Sequence, residues 1–339
     1  MELSERKKKI LASVVERYIL TGEPVGSKVL CGSLSVSSAT VRNEMADLSE
    51  MGLLEQPHTS AGRIPSHRGI RYYIDNLMTR YAINNFDRFT IESKFGNAAG
   101  EPEEILSRAM TVLSDMTGLA AVSSTPYDPN AVIRRVELVP LSSRTVLIVL
   151  LVSTGVIKNR ICRCESDVNI EIAELFYNIA GAHFINHRAD ELTVPKIQSL
   201  AASLGDRALT MTPLLVTLSE LAHDASKRDV LVDGKVKLLS YKELEGDMYE
   251  LLDFLKKPQF LSEIIDSGSD KLCVSIGREN MNRCFENASI VSYKYTVGGK
   301  NVGSIGVIGP VRMDYTRIIP NIAFTSEKVG QILSEAIDK

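Results

Sequence analysis

The sequence predicts an α+β protein of two or three domains, on three observations. The chain has 339 residues, more than one hydrophobic core usually supports. Apolar residues recur at helical spacing in the N-terminal part, and short apolar stretches separated by turn residues, typical of antiparallel strands, occur in two groups further on. A mainly helical stretch separates these groups. We therefore expect a sheet domain that is interrupted by an inserted helical domain.

The composition is that of an ordinary globular protein, with 44% hydrophobic and 24% charged residues. The formal net charge of −3 conceals an asymmetry. Residues 1–80 carry 11 basic and 9 acidic side chains, a net charge of +2, whereas the remainder carries 28 and 33, a net charge of −5. An anionic partner would therefore bind the N-terminal part.

The cysteines and apolar runs indicate a cytoplasmic protein without membrane contact. Five cysteines, an odd number, are scattered along the chain and do not resemble a disulfide framework. The charged start continues into apolar residues at helical spacing, unlike a signal peptide. The longest apolar run, Val146–Val152, has the length of a buried strand and is too short to span a bilayer.

The N-terminal part begins with three predicted helical features. Residues Ser4–Leu20 form an amphipathic helix that ends at Thr21-Gly22. A short helix around Ser27–Ser33 follows, with Val29 and Leu30 facing inward. After a tight turn, Ser37 or Ser38 caps the third helix, which runs to Met51.

The helix that runs to Met51 has an apolar side, formed by Val41, Met45 and Leu48 at i, i+4 and i+7, and a polar side opposite. This pattern is typical of a helix-turn-helix, whose second helix enters the DNA major groove. Arg42 can pair with guanine and Asn43 with adenine, while Ser38 and Thr40 can reach phosphates. The alternative is a pair of core helices with a solvated polar face.

The segment after this helix predicts a hairpin. Gly52 ends the helix, "LLEQP" has a strand pattern, and the turn Ser60–Gly62 precedes Arg63. No Asp or Glu occurs from Gln56 to Ile74, while Arg63, Arg68 and Arg71 lie close together. A basic hairpin in this position is a wing, which contacts the phosphate backbone or a minor groove. Its candidate DNA-binding residues are His58, Ser60, Arg63 and Arg68; a solvated basic loop is the alternative.

The remaining two thirds contain the predicted sheet and insertion. The expected strands are Ala120–Ser124, Val132–Pro140, Arg144–Val152 and Gly155–Cys162, then Lys271–Ile276, Ser289–Val297 and Val302–Ile308. Residues from Asn169 to about Leu255 are mostly helical, with a hairpin turn at Asp233-Gly234.

No motif in the sequence predicts catalysis, a cofactor or a metal. The glycines of "VGSIGVIGP" lack a phosphate-binding spacing. His183 and His187 lie at i, i+4 on a helix without a third ligand, so a structural role is favoured. Cys162 and Cys164 end a strand, which predicts thiols on opposite faces.

Several long motifs resemble the family of the heat-inducible transcription repressor HrcA. They are "SSATVRNEMADLSEMGLLEQPHTSAGRIPSHRGIRYYID", "GSIGVIGPVRMDYTRIIP", "TGEPVGSKVL" and "MTGLAAVSSTP". The resemblance implies a homodimeric repressor that binds an inverted-repeat operator in double-stranded DNA upstream of heat-shock chaperone genes, with its activity supported by the chaperonin.

The resemblance also implies a domain organisation. Residues 1–80 would form a winged helix-turn-helix DNA-binding domain and residues 81–100 a helical linker. Residues 101–168 and 256–339 would form a split GAF-like domain, and residues 169–255 an inserted dimerisation domain. Two other functions stay open: a metabolite-sensing winged-helix regulator with a ligand in the GAF-like domain, and a ligand-converting enzyme that carries a regulatory winged helix.

Overall fold

The computed structural model describes residues 3–34, 36–58, 61–79, 82–95, 101–280 and 282–337, without the side chains of residues 33, 34, 259, 336 and 337. The helices are α1 Glu5–Thr21, α2 Ser27–Leu34, α3 Ser38–Glu50, α4 His67–Tyr72, α5 Asn85–Phe95, α6 Pro102–Thr117, α7 Ile170–His183, α8 Val194–Ala202, α9 Ala208–Ala225, α10 Met248–Phe254, α11 Pro258–Ile265 and α12 Tyr315–Ile337. The strands are β1 Leu54–Glu55, β2 Ile64–Pro65, β3 Ala120–Ser124, β4 Ile133–Ser142, β5 Thr145–Val152, β6 Ile157–Arg163, β7 Val230–Asp233, β8 Leu272–Ile276, β9 Ala288–Val297 and β10 Lys300–Pro310. The predicted α+β class is confirmed.

The N-terminal helices follow the predicted pattern. Helix α1 begins at the cap Ser4 and ends at Gly22, whose left-handed φ of 70° favours glycine. Helix α3 begins after Ser37, whose Oγ accepts the backbone N–H of Thr40 at 3.1 Å. The three apolar residues predicted to face inward from α3 are buried. The inward position of Val29 is wrong: its side chain is 56% exposed, and only Leu30 of that pair is buried.

A five-stranded antiparallel sheet forms the centre of the C-terminal part, in the strand order β7-β3-β10-β9-β8. Side chains alternate between its two faces. Val291 and Val307 pack in the apolar cluster that includes residues of α6 and α12, and Ile290 and Ile308 pack in the cluster with α10 and α11. The sheet is therefore covered by helices on both faces.

The single interrupted sheet that the sequence predicted is wrong. Strands β4, β5 and β6 form a separate three-stranded antiparallel sheet, which shares its own apolar cluster with α7, α8 and α9. The chain leaves the five-stranded sheet after β3 and returns in β7, which pairs with β3. The backbone N–H of Thr125 donates to the carbonyl of Asp229 at 2.8 Å, so the two ends of the segment between β3 and β7 lie next to each other.

The hairpin turn predicted at Asp233-Gly234 is also wrong. Gly234 has a left-handed φ of 68° and leads into a 3-10 turn, Lys235–Ser240, rather than into a second strand. A Cβ at Gly234 would lie 1.9 Å from the Oγ of Ser114, so the close approach of α6 requires glycine here.

The N-terminal helices and the C-terminal sheet share one apolar core. This cluster contains Leu11 of α1, Leu48 of α3, Phe95 of α5, Leu113 of α6 and Ile322 of α12. Helix α5, in the segment predicted as a linker, packs against α6 and α12. None of the helices in the described ranges is both long and apolar enough to cross a bilayer.

Candidate nucleic-acid interface

Helix α3 presents its polar side to solvent at the end that follows Ser37. Arg42 and Asn43 are exposed, and Thr40 is half-buried. Ser38 is also half-buried, and its Oγ lies 3.0 Å from the Oγ of Ser27 at the start of α2. Ser38 therefore ties the two helices together, while Arg42 and Asn43 are the long polar side chains free to reach a ligand from this turn of the helix.

The β1–β2 hairpin is attached to the start of α2. Arg63 and Val25 exchange backbone hydrogen bonds of 2.8 and 2.9 Å, which add Val25 to the edge of the hairpin. A Cβ at Gly62 would lie 2.5 Å from the backbone carbonyl of Val25, so this approach requires glycine. The side chain of Gln56 accepts from the Arg63 guanidinium and donates to the carbonyl of Ala61 at 3.1 Å. These bonds hold Arg63 in place on the hairpin.

A concave surface of about 500 Å³ lies between α3 and the hairpin, and we call it the α3–hairpin groove. Arg42 and Arg63 both line it, and no acidic side chain does. Its other lining residues are Val25, Gly26, Ser27, Met45, Ala46, Gln56, Ala61 and Gly62. Two guanidiniums in an acid-free groove next to the first turn of α2 form a surface suited to an anion.

The other predicted hairpin residues are not gathered in this groove. His58 is exposed at the hairpin tip, and Ser60 lies outside the described residues. Arg68 is exposed but lines a different cavity of about 690 Å³, between the N-terminal helices and residues 243–312. Arg71 lines this same cavity, so Arg63 in the groove is separated from Arg68 and Arg71. Sequence reasoning missed Gln56, although hairpin pairing of Glu55 with Ile64 implies that Gln56 faces Arg63.

Acidic residues on α3 are neutralised by α1. Glu44 is buried, and its carboxylate accepts from the Arg6 Nε at 2.6 Å and lies 3.3 Å from the Lys7 Nζ. Lys7 also contacts Asp47 at 2.8 Å. Hydrogen bonds to Asp47 and then Glu44 raise the pKa of the Lys7 ammonium. The negative charges of Glu44 and Asp47 are thus paired with α1, and no carboxylate of α3 lines the groove.

The residues considered for metal or redox chemistry lie apart from the groove. Across the described residues, His, Cys, Asp and Glu form no group of three suited to a metal ion. His183 and His187 are exposed, and their predicted place on one helix is wrong, because α7 ends at His183. The prediction that Cys162 and Cys164 face opposite sides is wrong, because residues two apart on an extended chain point to the same side. Cys162, in β6, and Cys164, just after it, are both buried. Burial, with the neighbouring Cys162, raises the pKa of the Cys164 thiol to about 12, which disfavours the reactive thiolate.

Comparison with known proteins decides the family. The family model described as the HrcA protein C terminal domain matches residues 103–319. The sequence is 32% identical to the heat-inducible transcription repressor HrcA of Acetivibrio thermocellus, in an alignment that covers 100% of this chain and 99% of the relative. The chain belongs to the HrcA family. The HrcA protein of Moorella thermoacetica is 34% identical, with 99% of each chain covered.

One solved structure is similar to this HrcA-family chain along its length. It is a crystal structure of a hypothetical protein at 2.2 Å resolution, with a TM-score of 0.69 and 24% sequence identity. The match covers 99% of this chain and 100% of the other. The likeness shows a shared fold.

Proposed function

We propose that this chain is a DNA-binding transcription repressor without catalytic activity, and that residues 1–80 are a winged helix-turn-helix. Helix α3 would enter the major groove, with Arg42 and Asn43 at base edges and Ser38 and Thr40 near phosphates. The β1–β2 hairpin would be the wing, with Arg63 and the exposed His58 along the backbone. Ser60 and Arg68 complete the proposed set of contacts.

The observation that carries the proposal is the α3–hairpin groove. Its guanidiniums come from two different elements, Arg42 from α3 and Arg63 from the hairpin, and no carboxylate opposes them. A DNA strand that follows the groove would contact both elements at once. The names of the relatives, which are transcription repressors, agree with this chemistry.

Binding measurements on Arg42→Ala and Arg63→Ala test the proposal. Arg42→Ala should cost about 1–3 kcal/mol on specific DNA and little on random DNA. Arg63→Ala should weaken both and reduce the slope of log K against log salt by about one. Arg207→Ala is the matched control, because it removes an exposed arginine from the turn before α9, which neither lines the groove nor belongs to the β4–β6 sheet. If both groove variants bind as the control does, the groove is not the DNA interface.

We propose that the chain forms a homodimer through the sheet of β4, β5 and β6. One row of its outward face is apolar, the cross-strand row of Val139, Leu147 and Ile161. The neighbouring rows contain Val149 and Leu151, whose cross-strand partners on β4 are Glu137 and Arg135. Val139 and Ile161 are 42% and 58% exposed. A self-complementary patch of this kind suits a two-fold dimer, which would match an inverted-repeat operator.

The limits of the proposed domains follow from the two sheets. The sequence assigned residues 169–255 to the inserted dimerisation domain. We propose residues 131–225 instead, because β4–β6 and α7–α9 share one apolar cluster, whereas residues 230–310 rejoin the sheet of the GAF-like domain.

The regulatory setting is proposed from the family. The relatives are named as heat-inducible repressors. We propose that this chain acts in the cytoplasm on heat-shock chaperone genes and that the chaperonin supports its activity. Addition of purified chaperonin and ATP to a DNA-binding assay should raise the active fraction of repressor. An unchanged active fraction would exclude direct support by the chaperonin.

A further inference from the structure

Arg71, the third arginine of the acid-free segment, makes its contacts within the protein. Its Nε donates to the Oε1 of Glu279 at 3.0 Å, and its Nη2 donates to the Oε2 of the same carboxylate. The Nη2 also donates to the carbonyl of Val274 at 2.6 Å. Val274 lies on β8, the edge strand of the five-stranded sheet. A residue of α4 is thus bound to the C-terminal sheet, 203 positions away in sequence.

The segment that receives Arg71 is shaped for α4. The Oε2 of Glu279 accepts the backbone N–H of Ile276 at 2.8 Å, which fixes the carboxylate. Gly277 has a left-handed φ of 54°, and a Cβ there would lie 2.5 Å from ring atoms of His67. The turn and the start of α4 therefore fit closely, and the bidentate pair is held on both sides.

Helix α4 is joined just as closely to the end of α3. The Oγ of Ser66 donates to the carbonyl of Gly52 at 2.7 Å and accepts the N–H of Gly69 at 3.0 Å. A Cβ at Gly69 would lie 2.0 Å from the carbonyl oxygen of Leu53. Because Gly52 and Leu53 lie two and three residues after α3, the position of α4 constrains the direction of α3.

We propose that Arg71 is a positioning residue: its contact with Glu279 fixes the orientation of α3 against the C-terminal sheet, and Arg71 is not a phosphate contact. The inference rests on the proposed DNA-binding function. A dimer that binds two half-sites needs both α3 helices in register with the DNA. Loss of the contact should therefore weaken binding to the paired site more than binding to one half-site.

The test compares Arg71→Gln, Glu279→Gln and the double variant Arg71→Glu/Glu279→Arg in the full chain. The probes are the DNA protected in a footprint and a duplex of equal length that keeps one half-site. Both single variants should lose about tenfold in affinity for the paired site and less than about twofold for the half-site, with the salt slope unchanged. The double variant should recover only part of the loss, because a glutamate at position 71 cannot donate to the Val274 carbonyl and an arginine at position 279 cannot accept the Ile276 N–H. Arg63→Ala serves as the control for a phosphate contact.

Two outcomes would overturn the proposal. In one, Arg71→Gln weakens both DNAs equally and lowers the salt slope by about one, while Glu279→Gln has no effect; Arg71 would then be a phosphate contact. The other concerns DNA-free protein, in which hydrogen exchange of residues 272–280 should become faster in both single variants. Unchanged exchange would refute the contact itself. Because the hydrogen-exchange measurement needs no DNA, it distinguishes absence of the Arg71–Glu279 contact from failure of DNA binding.

Discussion

Replacement of Asp87 by asparagine is expected to destabilise the protein by about 2–3 kcal/mol at pH 7. The Asp87 carboxylate, on α5, is 1% exposed and is held by α12. Arg317 donates to its two oxygens at 2.9 Å each, and Asn321 and Asn84 donate at 3.1 and 2.9 Å. Asparagine keeps the volume but loses the charge and one acceptor. The expected loss therefore reports how firmly α5 is tied to the C-terminal part.

The magnitude follows from the pKa and from the exposure of the partner. The hydrogen bonds from Arg317, outweighing burial, lower the pKa of Asp87 from 3.8 to about 2. This difference corresponds to about 2 kcal/mol at neutral pH. Removal of one partner of a buried pair costs about 3–5 kcal/mol. The side chain of Arg317 is 49% exposed and can regain water, so the lower part of the combined range applies.

The pH dependence has a definite sign. Because the folded-state pKa of Asp87 is the lower one, its contribution is complete well above pH 4 and is lost as the pH falls through about 2. The gap between the wild type and Asp87→Asn should therefore shrink at pH 3 to about half its value at pH 7.

Urea unfolding followed by circular dichroism at pH 7 and pH 3 measures both effects. Glu92→Gln is the matched control, because Glu92 lies on the same helix in an exposed pair with Arg88 and should cost at most about 0.5 kcal/mol. The reasoning is refuted if Asp87→Asn costs no more than Glu92→Gln at pH 7. It is refuted equally if the gap is as large at pH 3 as at pH 7.

Three further predictions concern the other parts of the molecule. Gly69→Ala should destabilise the N-terminal helices by about 1–3 kcal/mol in thermal unfolding, since its Cβ would lie 2.0 Å from the Leu53 carbonyl oxygen. Gly181→Ala is the control and should not destabilise the protein, because no atom lies within 4 Å of the added Cβ. Equal effects of the two variants would contradict the packing argument. Asn43→Ala should lose about 1–3 kcal/mol on specific DNA in fluorescence anisotropy, whereas equal losses on random DNA would make Asn43 a non-specific contact. Leu147→Glu should give a monomer in sedimentation, and a persistent dimer would place the interface elsewhere.

Local patterns made the N-terminal helices predictable. Ser4 and Ser37 are both caps, and the buried residues of α3 follow the helical period over thirteen residues. Helix α2 has only eight residues, too few for periodicity to choose a face, so Val29 was misplaced. No prediction was made for helix α12, which contains Pro320 at an interior position.

Long-range contacts were the part that sequence reasoning could not reach. The apolar alternation of β4–β6 predicts strands but does not indicate which sheet they join. Strand β3 pairs with β7 and β10, which both follow β4–β6 and α7–α9 in the sequence. The same limit applies to the candidate site. Arg63 and Arg71 are equivalent in a basic run, and only the fold separates them, with Arg71 bound to Glu279 and Arg63 on the hairpin.

Footprinting of the purified full-length protein on promoter DNA of its own genome tests the central claim most directly. A repressor that reads DNA through α3 and the β1–β2 hairpin as a two-fold dimer should protect two inverted half-sites whose centres are about 34 Å apart, or a multiple of that distance. Arg42→Ala should abolish this protection at protein concentrations where Arg207→Ala retains it. Absence of any sequence-specific protection by the wild type, or full protection by Arg42→Ala, would contradict the account.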